Sequence, residues 1–414
     1  MPWFVVFSAG LFFFYSHIQL NIFNVINIQL MSYFHIEAES ASKLSAMTLA
    51  AVVSLVVFSG MLIDRFSTKR IILTAMLFSC GGTILLATTQ ILAIAFVARF
   101  IIGIGSAFCF LSCIRLASRW FPTNKMALVT SILVAMATTG GMVAQKPAAV
   151  LASLYGWQNM LLLNVLLGII IMIWILFFVK NFPAGYQIKE EYDKLLPLGL
   201  INSFKKAYFN GKNWIYGLYT SFLNLPFWIL GAAWGSPFLI QIYHFDINTA
   251  AGIISMLYVG IIIGSPTFGL VVGKTSRKKI LMYIGATASS ILLIAIIYLP
   301  NLSIFELKIL FFLEGFFTGA QILSYPMVAE NSPKSLTATS VSVVSFATMG
   351  GGALFQIIFG ILMDGVSKPN IINNIPVYPF DSYSIALSLL PITAFIALIL
   401  VKYIHYEPSN IRNL

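Results

Sequence analysis

The sequence predicts an all-α membrane protein, with twelve transmembrane helices in two six-helix pseudo-symmetric bundles. Three observations carry that prediction. Hydrophobic residues make up 59% of the 414 residues and charged residues only 9%, against roughly 25% charged in soluble domains, which is too few to coat a water-facing surface. The apolar residues also run in blocks suited to a bilayer core of about 30 Å. Ile91 to Ala107 carries one charge, Arg99, and Gly168 to Val179 carries none. Finally, separated segments of the first half recur in the second at nearly one spacing. Membrane barrels would instead show short segments of alternating polarity.

Taken in order, the spans are expected near 3–31, 43–64, 71–88, 90–118, 125–152, 158–180, 213–240, 249–273, 279–299, 304–329, 338–362 and 383–403. The first runs past signal-peptide length without a basic leader, so it reads as a span and not as a cleaved signal. Cys80, Cys109 and Cys113 all fall in apolar segments. They show no metal spacing and no disulfide framework, and read as small packing residues. The one long interior break, 181–212, holds Lys189, Glu190, Glu191, Asp193, Lys194, Lys205 and Lys206. It reads as a cytoplasmic linker between an N-terminal bundle, 1–180, and a C-terminal bundle, 213–414.

Lysine and arginine orient the chain, because they accumulate in cytoplasmic loops. With the N-terminus inside, the inner loops gather Arg65, Lys69, Arg70, Arg115, Arg119, Lys125, Lys274, Arg277, Lys278 and Lys279, while the outer loops and helix mouths keep only Lys43, Lys308 and Lys368. Twelve spans then place both termini in the cytoplasm of a bacterial inner membrane. The net charge of +11 therefore reports topology and contact with anionic lipid, and no nucleic-acid partner is expected.

The repeat is specific. Gly60-Met-Leu-Ile-Asp64-Arg65-Phe-Ser67-Thr-Lys69-Arg70 follows the second span, and Gly269-Leu-Val-Val-Gly273-Lys274-Thr-Ser276-Arg277-Lys278-Lys279 follows the eighth, 209 residues later. His35 matches His244 at the same shift, and Ala137-Thr-Thr-Gly140-Gly141 matches Ala347-Thr-Met-Gly350-Gly351 at a shift of 210. Parallel repeats of this kind place a substrate site between the halves near the midplane.

These residues resemble the major facilitator superfamily. Its signature between helices two and three is Gly-x-Leu-x-Asp-Arg-x-Gly-Arg-Lys/Arg. Residues 60–70 carry most of it, with Ser67 in place of the second Gly and Thr68 in place of an Arg. Arg99-Phe-Ile-Ile-Gly103-Ile-Gly105 matches the helix-four motif, and Gly156-Trp157-Gln158-Asn159-Met160 resembles the Gly-Trp-Arg-x-Met before helix six. The resemblance implies a secondary transporter and not an enzyme, working by alternating access. It also implies a conformational latch of Gly60, Asp64, Arg65, Lys69 and Arg70, in which Asp64 faces the positive N-terminus of helix eleven, here near Thr337. The alternative for this segment is a plain basic inner loop.

Ionisable groups inside a bilayer are costly and need a reason. Arg99 occupies the family position tied to proton transfer or to fixing a carboxylate; its alternative is a structural bond to backbone carbonyls. Glu314 lies in Leu310-Phe-Phe-Leu-Glu314-Gly-Phe-Phe, surroundings that disfavour a bare negative charge. It is the candidate proton carrier, with Arg99 setting its affinity, and a paired structural carboxylate is the alternative. Lys146, with repeat partner Gln356, is a candidate to hold a substrate anion; the alternative is snorkelling toward the outer surface. Helix one offers His17, Asn21, Asn24 and Asn27 near one face, suited to a small polar solute or, alternatively, to interhelical packing. Asn224, Trp228 and Trp234 are lesser candidates.

The helix-five antiporter signature is missing from Thr139–Pro147, which favours uptake over exchange. There is no phosphate-binding Gly-rich loop for ATP, no catalytic constellation and no cofactor or metal motif. Gln19-Leu-Asn21 and Asp64-Arg65-Phe-Ser-Thr also resemble the bacterial phagosomal nutrient transporter group, which implies amino acids or nucleosides as substrates. The expectation is thus a monomeric, proton-coupled symporter of a small polar nutrient. The rivals are an exporter of drugs or siderophores on the same fold, and a non-transporting membrane sensor or enzyme.

Overall fold

A bilayer offers backbone amides no water, so the chain must satisfy them within each span, and helices are the result. The computed structural model describes residues 2–122, 125–182, 200–274, 278–332, 336–372 and 374–404. Among these, the spans are α1 (Pro2–Asn21 continuing as Phe23–Phe34), α2 (Ala38–Arg65), α3 (Thr68–Thr88), α4 (Leu92–Ser106 and Cys109–Trp120), α5 (Met126–Val143 and Lys146–Tyr155) and α6 (Trp157–Phe178). They continue as α7 (Gly211–Leu223 and Phe227–Tyr243), α8 (Ile247–Lys274), α9 (Lys278–Tyr298), α10 (Ile304–Thr318, Gly319–Leu323 and Ser324–Asn331), α11 (Thr337–Val366) and α12 (Phe380–Leu387 and Leu389–Tyr403). Eleven are long and apolar enough to cross a membrane, and the broken α7 makes twelve.

The repeat is visible in the backbone. α2 and α8 each run 28 residues, and α3 and α9 each run 21. The matched histidines, His35 and His244, end α1 and α7 in the same left-handed conformation, φ 51° and φ 57°. That conformation is uncommon for a side-chain-bearing residue, so its recurrence at matched positions reflects shared geometry.

Two compact units emerge from the packing. One comprises residues 1–187, 227–258 and 352–387; the other comprises 188–226, 259–351 and 388–414. The first has a core that includes Phe12, Tyr15, Met76, Leu133 and Ile175, and the second one that includes Tyr219, Met282, Leu323, Val344 and Val401. With no water to expel between helices in lipid, close packing by small residues carries association. Gly103 of the helix-four motif shows this: an added Cβ would overlap the Thr48 carbonyl oxygen and Ala51 Cβ of α2.

Two features were not expected from hydropathy. Between α11 and α12 the chain forms an antiparallel hairpin, β1 (Asn370–Ile372) with β2 (Ile375–Val377). Within the 181–212 linker, Leu200–Tyr208 is helical. It places Lys205 and Lys206 in its last turn, where cations suit the helix dipole, and stacks Phe204 on Tyr208 with centroids 4.2 Å apart. Residues 183–199 of the linker, with Lys189, Glu190, Glu191, Asp193 and Lys194, lie outside the described residues.

Candidate functional site

Two pairs of equivalent spans are interrupted, at positions a few residues apart, whereas the break in α5 has no counterpart in the continuous α11. α1 is interrupted at Ile22 and α7 at Asn224–Pro226; α4 is interrupted after Ser106, and α10 narrows to a 3-10 turn at Gly319–Leu323. Irregular backbone at membrane depth survives only when buried in protein or lining a cavity, and interruptions in equivalent spans point to a transport site. Beyond its break, α7 continues as an eight-residue π-helix, Phe227–Trp234, every residue of which is buried. Such widened turns commonly mark functional sites.

In the first unit, the amides of α1 meet this π-helix and the break of α5. Asn24 Nδ2 donates to Gln145 Oε1 at 2.7 Å and to Ser236 Oγ at 3.0 Å, and the Ser236 amide returns a bond to Asn24 Oδ1 at 2.9 Å. Tyr258 Oη donates to Asn21 Oδ1 at 2.8 Å, while Gln145 Nε2 donates to Tyr258 Oη at 3.3 Å and to the Gly231 carbonyl at 3.1 Å. Asn27 Nδ2 donates to the Ala233 carbonyl at 2.7 Å. The outcome is a buried, charge-free cluster of amides and hydroxyls joining α1, α5, α7 and α8. Asn27 Oδ1, Gln356 Oε1 and Trp228 Nε1 are buried there without a partner among the described residues, although Gln356 Nε2 donates to the Trp228 carbonyl at 2.8 Å. A buried polar atom left unpaired costs about 1–3 kcal/mol, so three of them mark a site not optimised for stability alone. A cavity of about 520 Å³ lies beside Ile28, Gln29, Ser32, Tyr33, Trp157 and Phe245. The clustered amides do not line it.

The remaining first-unit candidates separate. Arg99, only 1% exposed, spends its guanidinium on three carbonyls, Leu44 (3.3 Å), Ser45 (3.2 Å) and Gln19 (3.3 Å), and sits 5.1 Å above the Phe23 ring. It thereby ties α4 to α1 and α2. The His17 imidazole is half-buried, hydrogen-bonded to the Phe13 carbonyl at 3.2 Å and set edge-on to the Phe13 ring, while the His17 carbonyl accepts from Asn21 Nδ2 at 2.7 Å. Lys146 is exposed, and its backbone amide bonds to Ser255 Oγ at 3.4 Å.

The second unit holds Glu314, fully buried on α10. Ser289 of α9 donates to its Oε1 at 2.6 Å and Thr318 to the same oxygen at 3.2 Å, while Oε2 has no partner among the described residues. Thr318 is the last residue before the 3-10 turn. Within that turn, Gln321 Nε2 donates to Asn224 Oδ1 at 2.8 Å, so the α10 and α7 interruptions are joined in this unit. Arg99 and Glu314 thus belong to different units, each with its own partners.

The family model described as Major Facilitator Superfamily matches residues 4–355 and again 216–414. The chain belongs to that superfamily. It is a multi-pass membrane transporter. Among curated relatives, it is 24% identical over 344 residues to the cis,cis-muconate transport protein of Acinetobacter baylyi, covering 81% of each chain. It is 25% identical over 228 residues to a sialic acid transporter of Escherichia coli, covering 54% of this chain and 53% of that one. Among solved structures, a bacterial homologue of the human lysosomal transporter Spinster superimposes with a TM-score of 0.78 at 16% identity, covering 99% of both chains.

For a superfamily member, the segment between α2 and α3 draws first attention. Gly60, Asp64 and Arg65 lie outside the residues whose side chains are described, as does Thr337. The rest of the motif is bound to its own half. The Lys69 amide donates to Asn181 Oδ1 at 2.9 Å, Lys69 Nζ to the Leu176 carbonyl at 2.6 Å, and Asn181 Nδ2 to Ser67 Oγ at 2.8 Å. Arg70 is exposed. Sequence reasoning passed over Gln145, Ser236 and Tyr258 as site residues. Gln145 carried a signal, because Gln-Lys-Pro inside a span marks a helix break. Tyr258 carried none; an aromatic in an apolar span reads as packing.

Proposed function

We propose that this transporter imports a small polar nutrient, of the amino acid or nucleoside class, together with protons. In this reading two six-helix bundles, residues 1–180 and 213–414, alternate about a central site, joined by the linker 181–212. The protein works as a monomer in a bacterial inner membrane with both termini cytoplasmic. The observation that carries the reading is the neutral amide and hydroxyl cluster at the α1 and α5 breaks. Asn21, Asn24 and Gln145 bond to second-half residues. Opening on that side would expose donors and acceptors already aimed at one another, which a polar solute can replace bond for bond. Under the positive-inside orientation that side is the outer one, so the conformation is closed to the outside.

Glu314 is assigned the coupled proton. Two hydroxyls hold one of its oxygens and the other has no partner among the described residues, and a buried carboxyl with no cation partner among them is most easily kept neutral by a proton. Arg99, bonded to three carbonyls, is assigned to holding α1, α2 and α4 in place. A second reading, uptake of an organic acid, is favoured by exposed Lys146 beside Gln145 and by the muconate and sialic acid named for two relatives.

The test is uptake of labelled amino acids, nucleosides and organic acids into proteoliposomes with an inward proton gradient. Accumulation of a neutral or zwitterionic solute supports the leading reading, and accumulation confined to acids supports the second. Solute movement only in the export direction overturns both.

A further inference from the structure

The start of α2 lacks what the start of α8 has, and the deficit is met from across the molecule's two halves. At the repeat shift of 209 residues, Glu37 corresponds to Asp246. Asp246 caps α8 from its own turn, its Oδ1 accepting the amides of Asn248 at 2.9 Å and Thr249 at 3.1 Å. Bonding to Thr249 also holds the Asp246 carboxyl below its usual range. Glu37 stands at the equivalent cap of α2 and makes no side-chain cap bond, as expected of a side chain too long for that role.

Orphan amides at a helix start need an acceptor. Here it is Asp364, near the end of α11. Its Oδ1 accepts the Ala38 amide at 3.2 Å and its Oδ2 the Glu39 amide at 2.7 Å. Tyr378, just past β2, completes the contact: its Oη accepts the Ala38 amide at 2.8 Å and donates to Asp364 Oδ1. Burial, and then the bond to Asp364, hold that phenol well above its usual range, so it remains a donor. Gln241 of α7 fixes Tyr378 in turn, accepting its amide at 3.0 Å and donating to the Pro376 carbonyl at 2.9 Å. The helices touch closely here, since an added Cβ at Gly360 of α11 would press on Ser42 and the Ala38 carbonyl of α2.

The converse holds in the equivalent pair. Leu154 of α5 stands where α11 has Asp364, at a shift of 210 residues, and α8 caps itself. A capping carboxylate therefore comes from α11 only where the local one is missing. We propose that Asp364, held by Tyr378, is an outer latch: it closes the outer side by capping the N-terminus of α2 and lets go when the transporter opens outward. The proposal rests on the alternating-access reading above.

Spin labels on cysteines introduced at exposed Tyr155 and Lys368 report the outer separation of the two halves by pulsed dipolar spectroscopy in nanodiscs. Asp364→Asn and Tyr378→Phe should each lower the closed-to-open ratio about tenfold, the size expected when a charged bond to backbone amides is lost. Glu37→Asp is the decisive variant, because it gives α2 its own cap and competes with Asp364. It should lower the same ratio while leaving the melting temperature unchanged or higher, which mere loss of structure would not do. Two wild-type populations with an unchanged ratio in Glu37→Asp and in whichever of the other variants fold would overturn the latch alone. A single wild-type population, with and without a proton gradient, would overturn the alternating-access reading and the latch with it.

Discussion

Gln145 is the residue on which the buried cluster turns. Its amide links Asn24, Tyr258 and the Gly231 carbonyl, and Leu in its place would take one bond from each, leaving Asn24 with Ser236 and Tyr258 with Asn21. A lost internal hydrogen bond costs about 0.5–1.5 kcal/mol, so Gln145→Leu should lower the melting temperature in detergent and abolish solute binding. Gln145→Glu keeps the size but sets a carboxyl oxygen against the Gly231 carbonyl, so it should impair binding as well as lower the melting temperature. An isotherm matching wild type in either variant would remove Gln145 from the site. Lys146 is different, because it is exposed and its only described hydrogen bond is through the backbone. Lys146→Ala should leave expression and melting unaltered. If an acid is the cargo, affinity should fall about tenfold or more, as for loss of a charged hydrogen bond, and Lys146→Arg should restore it only in part. Unchanged affinity for every bound solute would make Lys146 a snorkelling residue.

Elements were legible in the sequence to the extent that the bilayer dictates them. The spans follow from hydropathy because a helix of about 20 apolar residues is what the membrane thickness requires, and the repeat followed from Gly60, His35 and Ala137 with their partners. Apart from Gln145-Lys-Pro147 at the α5 break, the helix interruptions were not legible. A few residues of π-helix in Phe227–Trp234 change no composition, and nothing in the local sequence separates them from α-helix. The same limit hid the roles of the α1 amides: Asn21, Asn24 and Asn27 were visible as a polar face, whereas their partners lie more than 100 residues away. Interhelical contact does make a local prediction. Gly103→Leu should reduce folded yield, because overpacking at a backbone contact costs about 1–3 kcal/mol or more. Gly81, with nothing within 4 Å of an added Cβ, should accept Ala with a gain of about 0.5–1 kcal/mol, since helical glycine costs conformational entropy. Thermal melts of the two variants check the pair, and equal loss at both positions would contradict the packing described.

At the scale of the whole molecule, the fold and superfamily were readable from motifs at 60–70 and 99–105, whereas the cargo was not, because cargo depends on which amides face one another after folding. Coupling joins the two scales. Glu314 is a fully buried carboxyl bonded, among the described residues, through one oxygen to Ser289 and Thr318, so a change of conformation that hydrates it would release its proton. The direct measurement is solute accumulation by Glu314→Gln and wild-type protein in proteoliposomes, driven by a proton gradient alone, with solute exchange in the absence of a gradient measured alongside. The account predicts that wild type concentrates its solute, while Glu314→Gln exchanges it at a comparable rate and fails to concentrate it. Concentration by Glu314→Gln under the proton gradient would contradict the account and place the proton elsewhere, with His17 the next residue to test.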